Sequence, residues 1–119
     1  MKTKEFVLDT SYAISWLMPD EKSPKLIHDR LIAPELLVFE VINALKTCVR
    51  SKRITIDIAQ LLLREFESWN ICYFKIENKS VLKLAVELEL SGYDASYVWL
   101  AKKRGAQLLT FDKKLAKIT

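Results

Sequence analysis

Four acidic residues in this chain stand at positions from which carboxylates could hold a metal ion together. Asp9 and Asp112 end two short apolar runs, EFVLD and AQLLTFD, while Asp94 opens the helical pattern DASYVWLAKKR and Glu40 lies inside an apolar helical segment. Carboxylate oxygens without histidine or cysteine select a hard cation such as Mg²⁺ or Mn²⁺. Such a cation activates water and stabilises the transition state at a phosphodiester, which is the chemistry that we expect here.

Each acid also has an ordinary structural interpretation. Asp9 could form a turn after a strand, Asp94 and Asp112 could cap helices or the C-terminal segment, and Glu40 could be a solvated helix residue. The last interpretation is the weakest, because apolar residues surround Glu40 in the sequence and a carboxylate near the core needs a partner, a cation or a proton. Asn43 follows three residues later, so it shares the helix face of Glu40.

The remaining metal-binding residue types argue against zinc and disulfide chemistry. His28 is the single histidine of the chain, so zinc would have too few ligands. Cys48 and Cys72 are far apart and have no CxxC spacing, which favours small packed side chains over a disulfide.

The elements that must position the acids alternate between strands and helices. Parallel strands need crossover connections, so this alternation predicts an α/β fold in which helices cover both faces of a parallel sheet. Ligands of such sheets collect at the carboxyl ends of the strands, where Asp9 and Asp112 are expected. The predicted strands are 5–9, 31–33, 71–76 and 106–112; the predicted helices are 11–18, 34–51, 55–69, 79–90 and 94–104, with at most a short helix at 24–29.

Length and composition predict one compact domain over residues 1–119. Half of the residues are hydrophobic, and no Pro/Gly/Ser-rich stretch or repeat suggests a linker. The apolar run at 6–8 is too short for a signal peptide, and no run is long enough to cross a bilayer, so we expect a cytoplasmic protein. The net charge of +4 would suit a polyanionic partner, although it decides little alone.

Four motifs, in order, resemble the PIN-domain family, and most closely its VapC-like toxin ribonucleases. They are VLDTSY at 7–12, APELLVFEVINAL at 33–45, GYDASYVWLAKKRG at 92–105 and LLTFDKKL at 108–115. The resemblance implies a three-layer fold with a sheet of about four strands in the order 3-2-1-4. It also implies metal-site roles for the four acids, with Asn43 as a polar companion and with Ser11 and Thr110 as hydroxyls beside the site.

The resemblance further implies a Mg²⁺- or Mn²⁺-dependent endoribonuclease in which metal-activated water attacks the phosphorus in line. It implies a cognate antitoxin and a homodimer as well. Basic residues should hold the RNA, although an ordinary solvated side chain is the alternative for each of them. The candidates are Lys46, Arg50, Lys102, Lys103, Lys113 and Lys114, with Lys52, Arg53 and Arg104 nearby in sequence.

Two other functions remain open. A PIN-like fold could serve as a non-catalytic module that binds nucleic acid or protein, with its acids acting only as caps and pairing partners. A phosphatase or phosphotransferase could use Asp9 as its nucleophile, but Ser11 stands where the familiar pattern has a second aspartate.

The segment 18–34 is shorter than in most PIN domains, so we expect a reduced second helix and a smaller antitoxin-binding surface.

Overall fold

A four-stranded parallel sheet forms the centre of the computed structural model, which describes residues 4–18 and 29–118. The strand order is β3-β2-β1-β4, as predicted, and all three pairings are parallel. Strand order therefore reverses at β1, whose Val7 pairs with Ile32 on one side and Leu108 on the other. The strands are β1 (Glu5–Leu8), β2 (Arg30–Pro34), β3 (Cys72–Phe74) and β4 (Gln107–Leu109).

Helices flank the sheet and bury both of its faces. Val7 and Leu8 are successive residues whose side chains point to opposite faces, and both are fully buried. Helix α5 contacts β1, β2 and β4, whereas α1 packs with α2 and α3. The helices are α1 (Thr10–Leu17), α2 (Leu37–Arg50), α3 (Ile56–Glu67), α4 (Asn78–Leu88), α5 (Gly92–Arg104) and α6 (Lys113–Ile118).

Two helix starts differ from the sequence-based expectation. Pro34 was expected in the first turn of a helix, but it is the last residue of β2 and pairs with Phe74. Proline is tolerated at a strand end because its missing N–H interrupts no further pairing there. The first helix begins at Thr10, one residue before its predicted start, and is capped by the carboxylate of Asp9, which accepts a hydrogen bond from the N–H of Tyr12.

The other differences lie near the C-terminal half of the chain. Ser91 was expected to end a helix, but its hydroxyl accepts from the N–H of Asp94 and so caps the start of α5. No helix was predicted for residues 113–118, but they form α6. The predicted short helix at 24–29 lies almost wholly outside the described residues.

In the described part of the chain, no helix is long and apolar enough to cross a membrane.

Candidate active site

Asp9 is held rigidly at the carboxyl end of β1. Its backbone N–H donates to the carbonyl of Leu109 over 3.2 Å, which ties the end of β1 to the end of β4. Its Oδ1 accepts from Ser11 Oγ at 2.7 Å and from the Tyr12 N–H at 3.0 Å. The side chain is buried, and Oδ2 is the oxygen that no described residue engages.

Asp112 follows β4 and is fixed in the same way. Its Oδ1 accepts from the N–H groups of Lys114 at 2.8 Å and Leu115 at 3.2 Å, so Asp112 caps α6. Thr110 Oγ1 accepts from the N–H of Asp112 at 3.0 Å, which orders the turn before the helix. The cap role considered for Asp112 is therefore real, whereas Asp9, considered as a turn residue, is the cap of α1. Each of the two carboxylates still has a second oxygen to offer.

Asp94 lies in the first turn of α5 and is not the cap of that helix. Burial raises the pKa of its carboxyl, and the negative charges of Asp112 and Asp9 raise it further. The Ser91 hydroxyl and the Lys114 ammonium act in the opposite direction. The carboxylate at the start of α5 is thus close enough to those at the ends of β1 and β4 to be repelled by both.

Glu40, on α2, is held by two hydroxyls from other elements. Its Oε1 accepts from Thr10 Oγ1 at 3.0 Å and from the Tyr97 hydroxyl at 2.5 Å. Burial and the bond to Glu40 raise the pKa of Tyr97, so its hydroxyl stays a neutral donor. The charge of Asp9 adds to this shift, so Asp9 is near enough to act on the Tyr97 hydroxyl.

The donor chemistry of this arrangement fits a hard divalent cation. Asp9, Glu40 and Asp112 each use one oxygen for hydrogen bonds within the protein, and the other oxygen is not engaged by a described residue. Across residues 4–18 and 29–118, however, no three Asp, Glu, His or Cys side chains are placed so that they could together hold a metal ion. The geometry is therefore an ordered group of neighbouring carboxylates rather than a completed cage.

Comparison with known proteins gives this arrangement a family. The family model of the PIN domain matches residues 6–119. The chain belongs to the PIN-domain family. This result confirms the family resemblance that the sequence motifs suggested.

Individual PIN-domain relatives match over nearly the full length of the chain. The chain is 30% identical to Ribonuclease VapC3 of Pyrobaculum aerophilum, over 94% of this chain and 92% of that protein. It is 27% identical to Ribonuclease VapC9 of Mycobacterium tuberculosis, over 92% and 87% respectively. The crystal structure of PAE2754 from Pyrobaculum aerophilum superposes with a TM-score of 0.78 at 27% identity, covering 98% of this chain and 80% of that one.

Of the three supporting polar residues that the resemblance implied, Ser11 and Thr110 lie beside the acids, whereas Asn43 has no described contact with them. The Ser11 hydroxyl donates to Asp9 and accepts from the N–H of Phe111 at 3.2 Å, so it joins the end of β1 to the loop after β4. Thr110 orders the Asp112 turn. Asn43 is exposed on α2, and the described contact at this position is its carbonyl, which accepts from Thr47.

The basic residues are spread more widely than the acids. Lys114 is the candidate whose charge acts on Asp94, and its ammonium also donates to the carbonyl of Glu89 at 3.2 Å. Lys102 stands eight residues after Asp94 on α5, or about 12 Å along the helix axis. Arg50, ten residues after Glu40 on α2, is about 15 Å away by the same measure.

The other candidates are also at a distance from the acids or lack a described contact with them. Lys46 and Arg50 flank an apolar groove between α2 and α3, and Lys102 and Lys103 of α5 line a groove between α5 and α4. Lys113 is exposed at the start of α6.

Thr10 and Tyr97 are site residues that the sequence analysis did not single out. Both hydroxyls reach Glu40, and Tyr97 is almost fully buried. Their sequence positions carried a signal, because Thr10 follows the strand-end acid directly and Tyr97 lies three residues after Asp94, on the same face of α5. A buried tyrosine generally requires a partner for its hydroxyl, and here Glu40 supplies it.

Proposed function

We propose that this PIN domain is a Mg²⁺- or Mn²⁺-dependent endoribonuclease and the toxin of a VapBC-type toxin–antitoxin pair. The relatives named above as ribonucleases support the activity at the level of the family. The chain's own support is a single observation: Asp94 is held, partly buried, near Asp9 and Asp112, so that burial and then the charges of these two neighbours raise its pKa. A purely structural arrangement gains nothing from neighbouring negative charges, whereas a cation bound among these carboxylates would offset their repulsion.

Asp9, Glu40, Asp94 and Asp112 are the residues that would hold the cation. When bound, Mg²⁺ or Mn²⁺ supplies the charge that lowers the pKa of an attacking water and stabilises the leaving 3′ oxygen. The chain's own contribution is positioning. Hydrogen bonds from neighbouring hydroxyl and N–H groups hold one oxygen of Asp9, Glu40 and Asp112 in place before substrate binds.

The RNA backbone would be attracted by the basic residues around this acidic centre. Lys114 is the best placed, because its charge already acts on Asp94 and could also reach a phosphate bound there. The other lysines and arginines lie farther along the helices, where they would contact phosphates away from the cut. We further propose an antitoxin partner, a homodimer and a cytoplasmic location, on the strength of the family likeness.

Cleavage of end-labelled single-stranded RNA in a Mg²⁺ and Mn²⁺ titration tests the activity. Asp57→Asn is the matched control, because Asp57 lies in the first turn of α3 as Asp94 lies in the first turn of α5, but Asp57 is exposed and Asp94 is partly buried. We expect metal-dependent cleavage by the unmodified protein and by Asp57→Asn. Asp9→Asn and Asp94→Asn should lose more than about a hundredfold in rate, since several kcal/mol of transition-state stabilisation depend on the cation.

The same preparation separates the competing functions. RNA binding without cleavage at any metal concentration would identify a non-catalytic binding module. Hydrolysis of p-nitrophenyl phosphate that depends on Asp9, with RNA left intact, would indicate a phosphatase. Equal cleavage by Asp9→Asn, Asp94→Asn and the control would show that these acids act only as structural groups.

A further inference from the structure

Phe111 is a large apolar side chain left in solvent beside the acidic residues. It lies between Thr110 and Asp112, and 55% of its surface is exposed. A polar residue at this position in the loop after β4 would leave less apolar surface in solvent. An exposed aromatic ring next to a candidate catalytic acid therefore invites a functional explanation.

The position of Phe111 is fixed although its ring is exposed. The ring stacks on Tyr12, with centroids 4.6 Å apart and planes inclined by 21°. Its backbone N–H donates to Ser11 Oγ, the same hydroxyl that donates to Asp9. Because Tyr12 covers one face of the ring, the exposed surface is chiefly the opposite face and the edge.

A chain of aromatic contacts anchors this ring to the core. Tyr12 meets Trp16 edge to face at 5.8 Å, Trp16 meets Trp69 at 5.4 Å, and Trp69 meets Phe66 at 5.4 Å. Phe66 is 1% exposed. The exposed face of Phe111 is consequently a rigid platform, and a rigid ring loses little conformational entropy when a ligand stacks on it.

We propose that Phe111 is the platform on which one nucleobase of single-stranded RNA stacks, next to the phosphate that is cut. This inference rests on the proposed ribonuclease function. Aromatic side chains combined with basic charges are the usual means of binding single strands without reading their sequence, because every base has a π-face. Phe111 supplies the π-face and the neighbouring Lys114 supplies the charge, so the RNA would be held by base and backbone together.

RNA binding by a cleavage-inactive Asp94→Asn protein tests the platform directly. The oligonucleotide carries 2-aminopurine, whose fluorescence falls when it stacks, and the second substitution is Phe111→Ala, Phe111→Leu or Phe111→Trp. We expect Phe111→Ala and Phe111→Leu to weaken binding on the order of tenfold and to remove the quenching, and Phe111→Trp to retain both. Leu82→Ala, which alters an equally exposed apolar residue on α4, should bind as the parent does.

An abasic scan of the same RNA locates the stacked base. Removing one particular base should weaken RNA binding by the parent protein. Removing the same base should not weaken binding by Phe111→Ala any further, since the base and the ring act as a pair. The platform would be overturned if Phe111→Leu bound RNA as well as Phe111→Trp does. It would also be overturned if the loss from each abasic position simply added to the loss from Phe111→Ala. Loss of a protein–protein contact in Phe111→Ala, with RNA binding intact, would assign the ring to a protein interface instead.

Failure of the platform and failure of the proposed activity give different results. If Phe111→Ala binds RNA normally while the unmodified protein cleaves in a metal-dependent way, the stacking inference alone is wrong. If base-specific stacking is found but no cleavage occurs at any metal concentration, the platform stands and the ribonuclease proposal does not.

Discussion

Replacing Tyr97 with phenylalanine removes the hydroxyl that orients Glu40 while it leaves the buried ring in place. Tyr97 is 2% exposed, and its hydroxyl donates to Glu40 Oε1 at 2.5 Å. A hydrogen bond to a charged group contributes about 1.5–3 kcal/mol. Thr10 continues to donate to the same oxygen at 3.0 Å, so the carboxylate keeps one partner and the loss should be near 1.5 kcal/mol.

Thermal unfolding of Tyr97→Phe measures this contribution. A loss of that size should lower Tm by about 6 °C in a domain of 119 residues. Tyr73→Phe is the matched control, because Tyr73 is 37% exposed, and its change should stay within about 0.5 kcal/mol. RNA cleavage by Tyr97→Phe should also slow, with most of the effect in kcat, because Glu40 is then less well oriented. A Tyr97→Phe protein that melts and cleaves like Tyr73→Phe would refute the argument.

Three further predictions concern charge. Asp94→Asn should stabilise the metal-free protein at pH 7.5, because the raised pKa of Asp94 means that its ionisation opposes folding. In thermal melts below about pH 3.8 this gain in stability should vanish, because the carboxyl is protonated in both the folded and the unfolded state. Glu5→Gln should destabilise the protein at neutral pH, because Arg104 and Arg30 lower the pKa of Glu5. Urea titrations should show that the difference in stability from the unmodified protein shrinks as the pH falls through that lowered pKa. A difference that grows in acid would contradict the pairing. RNA binding by Asp94→Asn should weaken steeply between 50 and 200 mM salt and should exceed binding to duplex DNA of equal length, whereas salt-insensitive binding would exclude recognition through the backbone.

The fold was largely predictable because each long element has its own hydrophobic period. The spacing of Leu37, Val41, Leu45 and Cys48 marks the buried face of α2, and all four are buried. Helix α6 was missed because six residues span less than two turns and show no clear period. The start of α2 was misplaced because proline suits both a first helical turn and a strand end, and tertiary pairing with β3 decides between them.

The sequence indicated that strand-end acids would lie near one another, but it did not indicate the hydrogen bonds around them. Asp9 and Asp112 follow apolar strands, and the topology of a parallel sheet brings such strand ends together. The bond from Tyr97 to Glu40 joins residues that are 57 positions apart in the chain, and the one from Thr10 spans 30. No local pattern specifies those pairings, because they depend on how α1, α2 and α5 pack around the end of β1.

A crystal of the protein soaked in Mn²⁺ and measured for anomalous scattering tests the central claim most directly. We predict a Mn²⁺ peak among Asp9, Glu40, Asp94 and Asp112, with carboxylate oxygens at about 2.0–2.2 Å, close to the distances of Mg²⁺ sites. The same peak should be absent from crystals of Asp9→Asn soaked in parallel. Peaks confined to other surfaces, or acids that keep their positions with no metal at saturating Mn²⁺, would contradict the metal-dependent account.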